Sequence, residues 1–459
     1  MGWGRGLLAL GVALLAVAAL DIALRAARVL PPDDPLLFFA RTHSLRVDPF
    51  IETSPGRLAI RADWVNDGAS LRGRRGLRAG RQFLLPGFRP IELARAKPPG
   101  MVRIVGLGDS TAYGLFVGAD AAFISVLGKR ITVSTGKPVE VVNLACAGFA
   151  SDRVLALLPT ALSLDPDLVV VYVGHNEMLG GSDGPAGGLT QALRARAWLL
   201  EGSALFAWLD HAWVATLRGA ETDRVREEVA ALEAGEIPTF VPEAVPESRR
   251  VAPSSEFRAQ AAARYRDNLE AIVAAGRAAG VPLLLVLPVA NLLWPPGISF
   301  HSPGFAGERE FAAALRAAAA LRESGKREEE LAALDRAVAL SPEYAQAHSL
   351  RADALRALGR GDEARAEYAT AIDRDGVTHR ITSPLEAEFL AVARAEGVPW
   401  VDLRPLLQSD LSDDAAKRHF VDHVHPTAEG HAEIAAALRE PALALLPSRA
   451  ESARGADGR

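Results

Sequence analysis

Cysteine is almost missing from this sequence: 459 residues contain one, Cys146. A single thiol excludes an internal disulfide framework and any zinc site built from several cysteines. It leaves the compartment open, and a small buried thiol is its simplest reading. An excess of positive charge is missing too. The net charge of -5 gives no electrostatic footprint for nucleic acid. The glycine-rich stretch "GLGDSTAYG" (Gly106–Gly114) has no lysine, so it is not a P-loop. Thr111 also stands where a dinucleotide fingerprint needs its third glycine. The apolar run "LLALGVALLAVAAL" (Leu7–Leu20) is shorter than the roughly 20 residues that cross a bilayer, unless it continues past Asp21 to Leu24.

What is present supports a globular chain. Hydrophobic residues make up 49% and charged residues 23%, and the length suggests two or three units. The N-terminal run reads as an export or membrane signal. "AVA" (Ala16–Ala18) offers a cleavage site, whereas Arg25 and Arg28 just beyond the run suit an uncleaved anchor. A buried helix of a soluble protein is the bland alternative. Positive charge on both flanks gives no orientation from the positive-inside rule. The expectation is a transmembrane anchor or signal over residues 1–30, with the bulk of the chain outside the cytoplasm, periplasmic or at the cell surface. Residues 31–100 form an extension that opens on "VLPPDDP". Its arginines (Arg72, Arg74, Arg75, Arg78, Arg81, Arg89 and Arg95) read as a solvated surface rather than a lipid-binding face, since no helix-period apolar stripe accompanies them.

From Met101 the pattern changes. "VRIVGLG", "VEVVNLA", "DLVVVYVG", "VPLLLVLPVA" and "VPWVDL" are continuous apolar runs. Such runs suit strands covered on both faces. Helical stretches alternate with them, among them Ser255–Gly280 with a serine cap and a terminal glycine, and the alternation predicts a parallel α/β sheet. Two interruptions break the rhythm. Residues 185–250 read as helix and then irregular chain. Residues 306–376 are alanine- and charge-rich helix with an internal repeat: "GKREEELAALDRAVALSP" from Gly325 and "GRGDEARAEYATAIDRDG" from Gly359 lie 34 residues apart. Leu334 aligns with Tyr368 and Ala337 with Ala371; Gly376 replaces Pro342, and Glu330 stands where the second copy has Ala364. The period resembles the tetratricopeptide repeat, with a generic helical hairpin as the alternative. Two copies are too few to stand alone, so the segment must lean on the α/β part. Its functional reading is capture of a protein partner; its bland reading is packing.

Ser110 follows the first of these strands. A serine hydroxyl becomes a nucleophile when a base takes its proton, and the base needs an orienting carboxylate. "FVDHVHPTAEGH" places Asp422 three residues before His425, a spacing that lets the carboxylate reach Nδ1 and leaves Nε2 for Ser110. The developing negative charge needs donors. Gly148, after the second strand, and Asn176, after the third, lie where such donors belong, since ligands of these sheets bind beyond the carboxyl ends of the strands. Each residue has a structural alternative: Ser110 as a strand-end cap, Gly148 and Asn176 as turn residues, Asp422 as a helix cap. Asp422 with His423, His425 and His431 could instead hold a metal, which would leave the serine block unexplained.

Together "GDS" (Gly108–Ser110), Gly148, "GHNE" (Gly174–Glu177) and "DHVH" (Asp422–His425) resemble the SGNH, or GDSL-type, hydrolase family. Thr111 replaces the common leucine and Glu177 the common aspartate. The resemblance covers roughly residues 101–300 and 377–440. It implies a three-layer α/β/α, flavodoxin-like fold. It implies a Ser110–His425–Asp422 triad and an oxyanion hole from the Ser110 N–H, the Gly148 N–H and the Asn176 amide. It further implies an esterase that needs no cofactor or metal and acts on a small acyl group, carried on a carbohydrate or cell-envelope ester. The domain reading is therefore an anchor (1–30), an extension (31–100), a hydrolase domain in two parts (101–305 and 377–446), a helical insertion (306–376) and a tail (447–459). An O-acyltransferase with the same triad, and a binding scaffold on a vestigial hydrolase fold, are the alternatives.

Overall fold

The computed structural model describes residues 16–24, 47–60, 88–178, 203, 205–206, 208–209, 254–376 and 379–446. The reading of residues 185–250, most of the arginine-rich stretch and the tail fall outside these. So does most of the N-terminal run, of which residues 16–24 are helical. Among the described residues no helix is long and apolar enough to cross a membrane, so the expected transmembrane helix has no counterpart there. The chain divides into two compact units, one of residues 1–53, 59–90 and 182–236, the other of residues 54–58, 91–181 and 237–459. In the first, Asp21 accepts hydrogen bonds from Ser203 Oγ at 2.8 Å and the Leu205 N–H at 2.9 Å.

The second unit holds the five apolar runs as strands: β1 (Val102–Gly108), β2 (Val139–Asn143), β3 (Leu168–Tyr172), β4 (Leu283–Leu287) and β5 (Trp400–Asp402). They pair in parallel in the order β2-β1-β3-β4-β5. This is the flavodoxin-like order, whose direction reverses between β1 and β3. The central strands β1, β3 and β4 are buried along their whole lengths, which explains why their sequences do not alternate.

Five helices cover the sheet: α1 (Phe123–Thr135), α2 (Ser151–Leu162), α3 (Ser255–Ala278), α8 (Ser383–Ala395) and α9 (Ala428–Leu445). The register shows which face each takes. Gly106 pairs with Val170, and a Cβ on Gly106 would collide with the Ile124 side chain of α1. Leu283 pairs with Val169, on the opposite pleat, and its side chain fills the space over Gly276 of α3. Helices α1 and α3 therefore lie on opposite faces; α9 packs with α1, and α2 and α8 pack with α3. Helix α3 begins one residue earlier than a Ser255 cap would give: Ser254 is the cap, its hydroxyl accepting from the Phe257 N–H.

Between β4 and α8 come four helices, α4 (Glu308–Glu323), α5 (Arg327–Leu340), α6 (Ala345–Ala357) and α7 (Gly361–Arg374). α4 packs on α5 and α6 on α7, and α5 and α7 begin 34 residues apart. Gly325 and Gly359 take the same left-handed turn, with φ of 73° and 77°. Leu334, Tyr368, Ala337 and Ala371 are all buried, as their alignment requires. Glu330 is buried as well, and is held by Arg322 at 2.6 Å and Arg327 at 2.7 Å, so a charged side chain sits at this core position only because two guanidinium groups surround it.

The segment leaves and rejoins the sheet region through a narrow neck. The Gly376 N–H donates to the Ile298 carbonyl at 2.8 Å, and the Asp375 carboxylate accepts from the Gly297 and Ile298 N–H groups. Arg380 pairs with Asp375 at 2.9 Å, both buried, and donates to the Trp294 carbonyl at 2.8 Å. A side chain at position 376 would run into the Phe300 ring, which accounts for glycine there in place of the proline of the first copy.

Candidate active site

β1 ends at Gly108, where a Cβ would lie 2.1 Å from the Tyr172 carbonyl oxygen of β3. Only glycine lets the two strands close at this point. Asp109, not Ser110, caps the short helical turn Ser110–Tyr113, its Oδ1 accepting the Thr111 N–H at 2.9 Å. The nucleophile candidate thus sits at the first position of a turn, at the carboxyl edge of the sheet. Asp109 is fully buried, and its Oδ2 has no hydrogen-bond partner. Burial pushes its carboxyl up to about 7, against the pull of the Thr111 N–H and the His425 charge.

The other two residues come from the loop before α9. Asp422 Oδ1 accepts the N–H groups of Val424 at 2.9 Å and His425 at 2.8 Å. This closes a tight turn that swings the His425 ring back over the carboxylate. Asp422 Oδ2 lies 2.7 Å from His425 Nδ1, and His425 Nε2 lies 2.8 Å from Ser110 Oγ. Burial acts to raise the Asp422 carboxyl, but the charge and hydrogen bond of His425, with His423 and the Val424 N–H, outweigh it and hold it well below the ordinary range. An ionised carboxylate only accepts, so Nδ1 carries the proton and Nε2 is left to accept from Ser110. Asp422 does not cap α9; Thr427 does, accepting the Gly430 N–H.

Gly148 stands at φ 79°, third in a tight turn closed by the Phe149 N–H on the Cys146 carbonyl, a place that requires a left-handed residue. Asn176 is buried and donates one amide hydrogen to the Phe149 carbonyl at 3.0 Å, which ties the loop after β3 to the loop after β2.

Further residues of the site were given no role by the sequence. Glu177 receives the Ser151 N–H at 2.8 Å and its hydroxyl at 2.7 Å, fastening the Asn176 loop to the start of α2. Burial pushes the Glu177 carboxyl up to about 8. His175 is buried: its Nδ1 accepts the Ile381 N–H at 3.1 Å, and its Nε2 lies 3.2 Å from the Tyr172 hydroxyl. Burial keeps this ring neutral. Asn291 donates its backbone N–H to the His423 carbonyl at 2.8 Å and its amide to the Asp422 carbonyl at 3.2 Å. Phe116 presents its ring edge-on to His425, 5.2 Å between centroids, from a left-handed backbone with φ 68°. A non-glycine residue in that region stores roughly 1–2 kcal/mol of strain. The glutamate and the phenylalanine had signals, a carboxylate beside a proposed donor and a large apolar residue among loop glycines, but neither specifies a partner.

Among the described residues no group of three histidine, cysteine, aspartate or glutamate side chains could hold a metal. His431, the outermost of the alternative ligands, instead accepts the Phe123 N–H on Nδ1.

Residues 107–325 match the model of the GDSL-like Lipase/Acylhydrolase family. The match takes in Ser110, Gly148 and Asn176 and stops before Asp422 and His425. Among solved structures, a lipase/acylhydrolase from Enterococcus faecalis aligns over 76% of this chain and 98% of its own, at 13% identity and a TM-score of 0.34. The psychrotrophic esterase EstA from Pseudoalteromonas sp., inhibited by monoethylphosphonate, aligns over 74% and 97%, at 10% identity and 0.30. The acetyl xylan esterase AlAXEase aligns over 74% and 99%, at 12% identity and 0.31. No curated protein matches the chain.

Proposed function

We propose that this chain, whose residues 107–325 match the GDSL-like Lipase/Acylhydrolase model, is a serine esterase working through an acyl-enzyme. One observation carries the reading: the continuous line from Asp422 Oδ2 through His425 to Ser110 Oγ, with contacts of 2.7 and 2.8 Å. His425 Nε2 takes the hydroxyl proton as Ser110 attacks the ester carbonyl. The oxygen, now negative, is received by the N–H groups of Ser110 and Gly148 and by the amide hydrogen of Asn176 that Phe149 leaves unused. Asp422 steadies the imidazolium without taking its proton. His425 then protonates the departing alcohol, and water, activated by the same imidazole, releases the acid.

The apolar N-terminal run favours delivery to a membrane with the esterase outside the cytoplasm. The 34-residue period of α4–α7 favours a tetratricopeptide-like pair that holds an extended peptide.

The test is turnover of p-nitrophenyl acetate. Ser110→Ala should lower kcat by at least about 10³-fold with an unchanged melting temperature. A fluorophosphonate probe should label the unsubstituted protein and not the variant. Retained hydrolysis in Ser110→Ala would overturn the reading.

A further inference from the structure

The residues around His425 decide more than its orientation. On the serine esterase reading, on which this inference rests, the proton that His425 takes from Ser110 goes next to the leaving alkoxide. The alcohol oxygen must therefore come within about 3 Å of His425 Nε2. The body of the alcohol then lies against whatever flanks that ring. Phe116 flanks it on one edge, and His423 meets it at a right angle, 5.8 Å between centroids. The ring system continues outward: His423 lies 6.4 Å from Trp294 and 6.2 Å from His379. All four rings are half-buried, so each keeps surface that another molecule can cover.

We propose that Trp294, with His423 and His379, is the subsite for the leaving alcohol, and that it selects alcohols presenting a flat ring face. Three features support this. First, the indole and the imidazoles offer apolar faces with hydrogen-bonding edges, which suits a ring bearing polar substituents. Second, His423, the ring between the other two, is uncharged. Burial, with the charges of His425, Arg380 and His379, outweighs the attraction of Asp422 and brings His423 down to about 3, so it is a neutral imidazole at working pH. The Arg380 guanidinium is already paired with Asp375. Third, the rim is rigidly built. Trp294 and His379 are far apart in sequence, and Arg380 joins them through its bonds to the Trp294 carbonyl and Asp375. The neck of the helical insertion, not the core of the sheet unit, thus supplies the alcohol side of the site.

The flat ring can be aromatic or a saturated pyranose, and substrate choice separates these sources. The experiment compares phenyl acetate, an acetylated methyl pyranoside and butyl acetate, each with the unsubstituted protein, Trp294→Ala and Trp294→Phe. Taking each variant against the unsubstituted protein on the same ester cancels the intrinsic reactivity of the leaving group. Trp294→Ala should raise KM for a ring ester about three- to tenfold, the scale of one lost stacking contact, with kcat unchanged and butyl acetate within about twofold. Trp294→Phe should recover most of the loss. A response confined to phenyl acetate assigns an aromatic alcohol; one confined to the pyranoside assigns a saturated ring. Equal effects on all three esters, or none on any, overturn the subsite while leaving the esterase reading intact. No turnover of any ester, with no fluorophosphonate labelling of Ser110, overturns both.

Discussion

On the proposed mechanism, Asn176 is a single side chain made ready for a charge that is not yet there. One of its amide hydrogens is committed to the Phe149 carbonyl, which fixes the plane of the group and the direction of the other. Asn176→Ala should therefore lower kcat about 10²–10³-fold with little change in KM, read from steady-state kinetics of the acetate ester. Glu177, its neighbour, carries a different consequence. Its carboxyl stands at about 8 in the folded chain against an ordinary 4.5. Below pH 4.5 it is protonated folded or unfolded and costs nothing. As pH climbs toward 8 the unfolded chain ionises freely while the folded chain resists, so stability is lost over that interval. Glu177→Gln removes this dependence. Its melting temperature relative to the parent should start level near pH 4, rise as pH climbs toward about 8 and level off above that; parallel curves would refute the assignment. Ser110, Asp422 and His425 were legible in the sequence because the chemistry dictates residue types and a three-residue spacing that a turn can close. Glu177 was visible only as a departure from a family pattern, and Trp294 and His379 not at all, because they meet across an intervening helical segment and carry no motif.

At the scale of elements, the five strands were legible because burial on both faces leaves no room for polar alternation. Their limits were less so: β2 stops at Asn143 and β4 at Leu287, where the chain turns out of the sheet to build loops that sequence reads as more apolar strand. The start of α9 shows the same limit. Asp422 and Thr427 are both good caps by type, and only the geometry gives the cap to Thr427 and frees Asp422 for His425. The neck of the insertion was hidden, since its bonds join residues before and after four helices. Its buried Asp375–Arg380 pair makes a prediction of its own. Asp375→Asn leaves a guanidinium buried without its counter-charge and should cost on the order of 3–5 kcal/mol, seen as a lower urea midpoint at an unchanged slope. Adding Arg380→Met should restore part of that loss, because the charge is then gone rather than stranded.

For the molecule as a whole, the question is whether α4–α7 behave as a separate body. Leu411, in the chain that follows β5, shares one core with Leu331, Leu334, Leu355 and Tyr368 of these helices, and Arg356 and Arg365 donate to carbonyls of that same stretch. The helices and the sheet that carries the site should therefore melt in one calorimetric transition, with van't Hoff and calorimetric enthalpies in agreement; two resolved transitions within residues 91–446 would show the helices to be independent. The order of the chain adds one more consequence. Ser110 and His425, joined by a 2.8 Å contact, are 315 positions apart. A ribosome adding about 5–20 residues per second finishes the serine some 15–60 s before it adds the histidine. Throughout that interval the Ser110 hydroxyl lacks the base that would take its proton. On the esterase reading, the site is complete only once the loop that carries Asp422 and His425 has been made, so the two halves of the hydrogen-bonded line are never both present in the earlier part of synthesis.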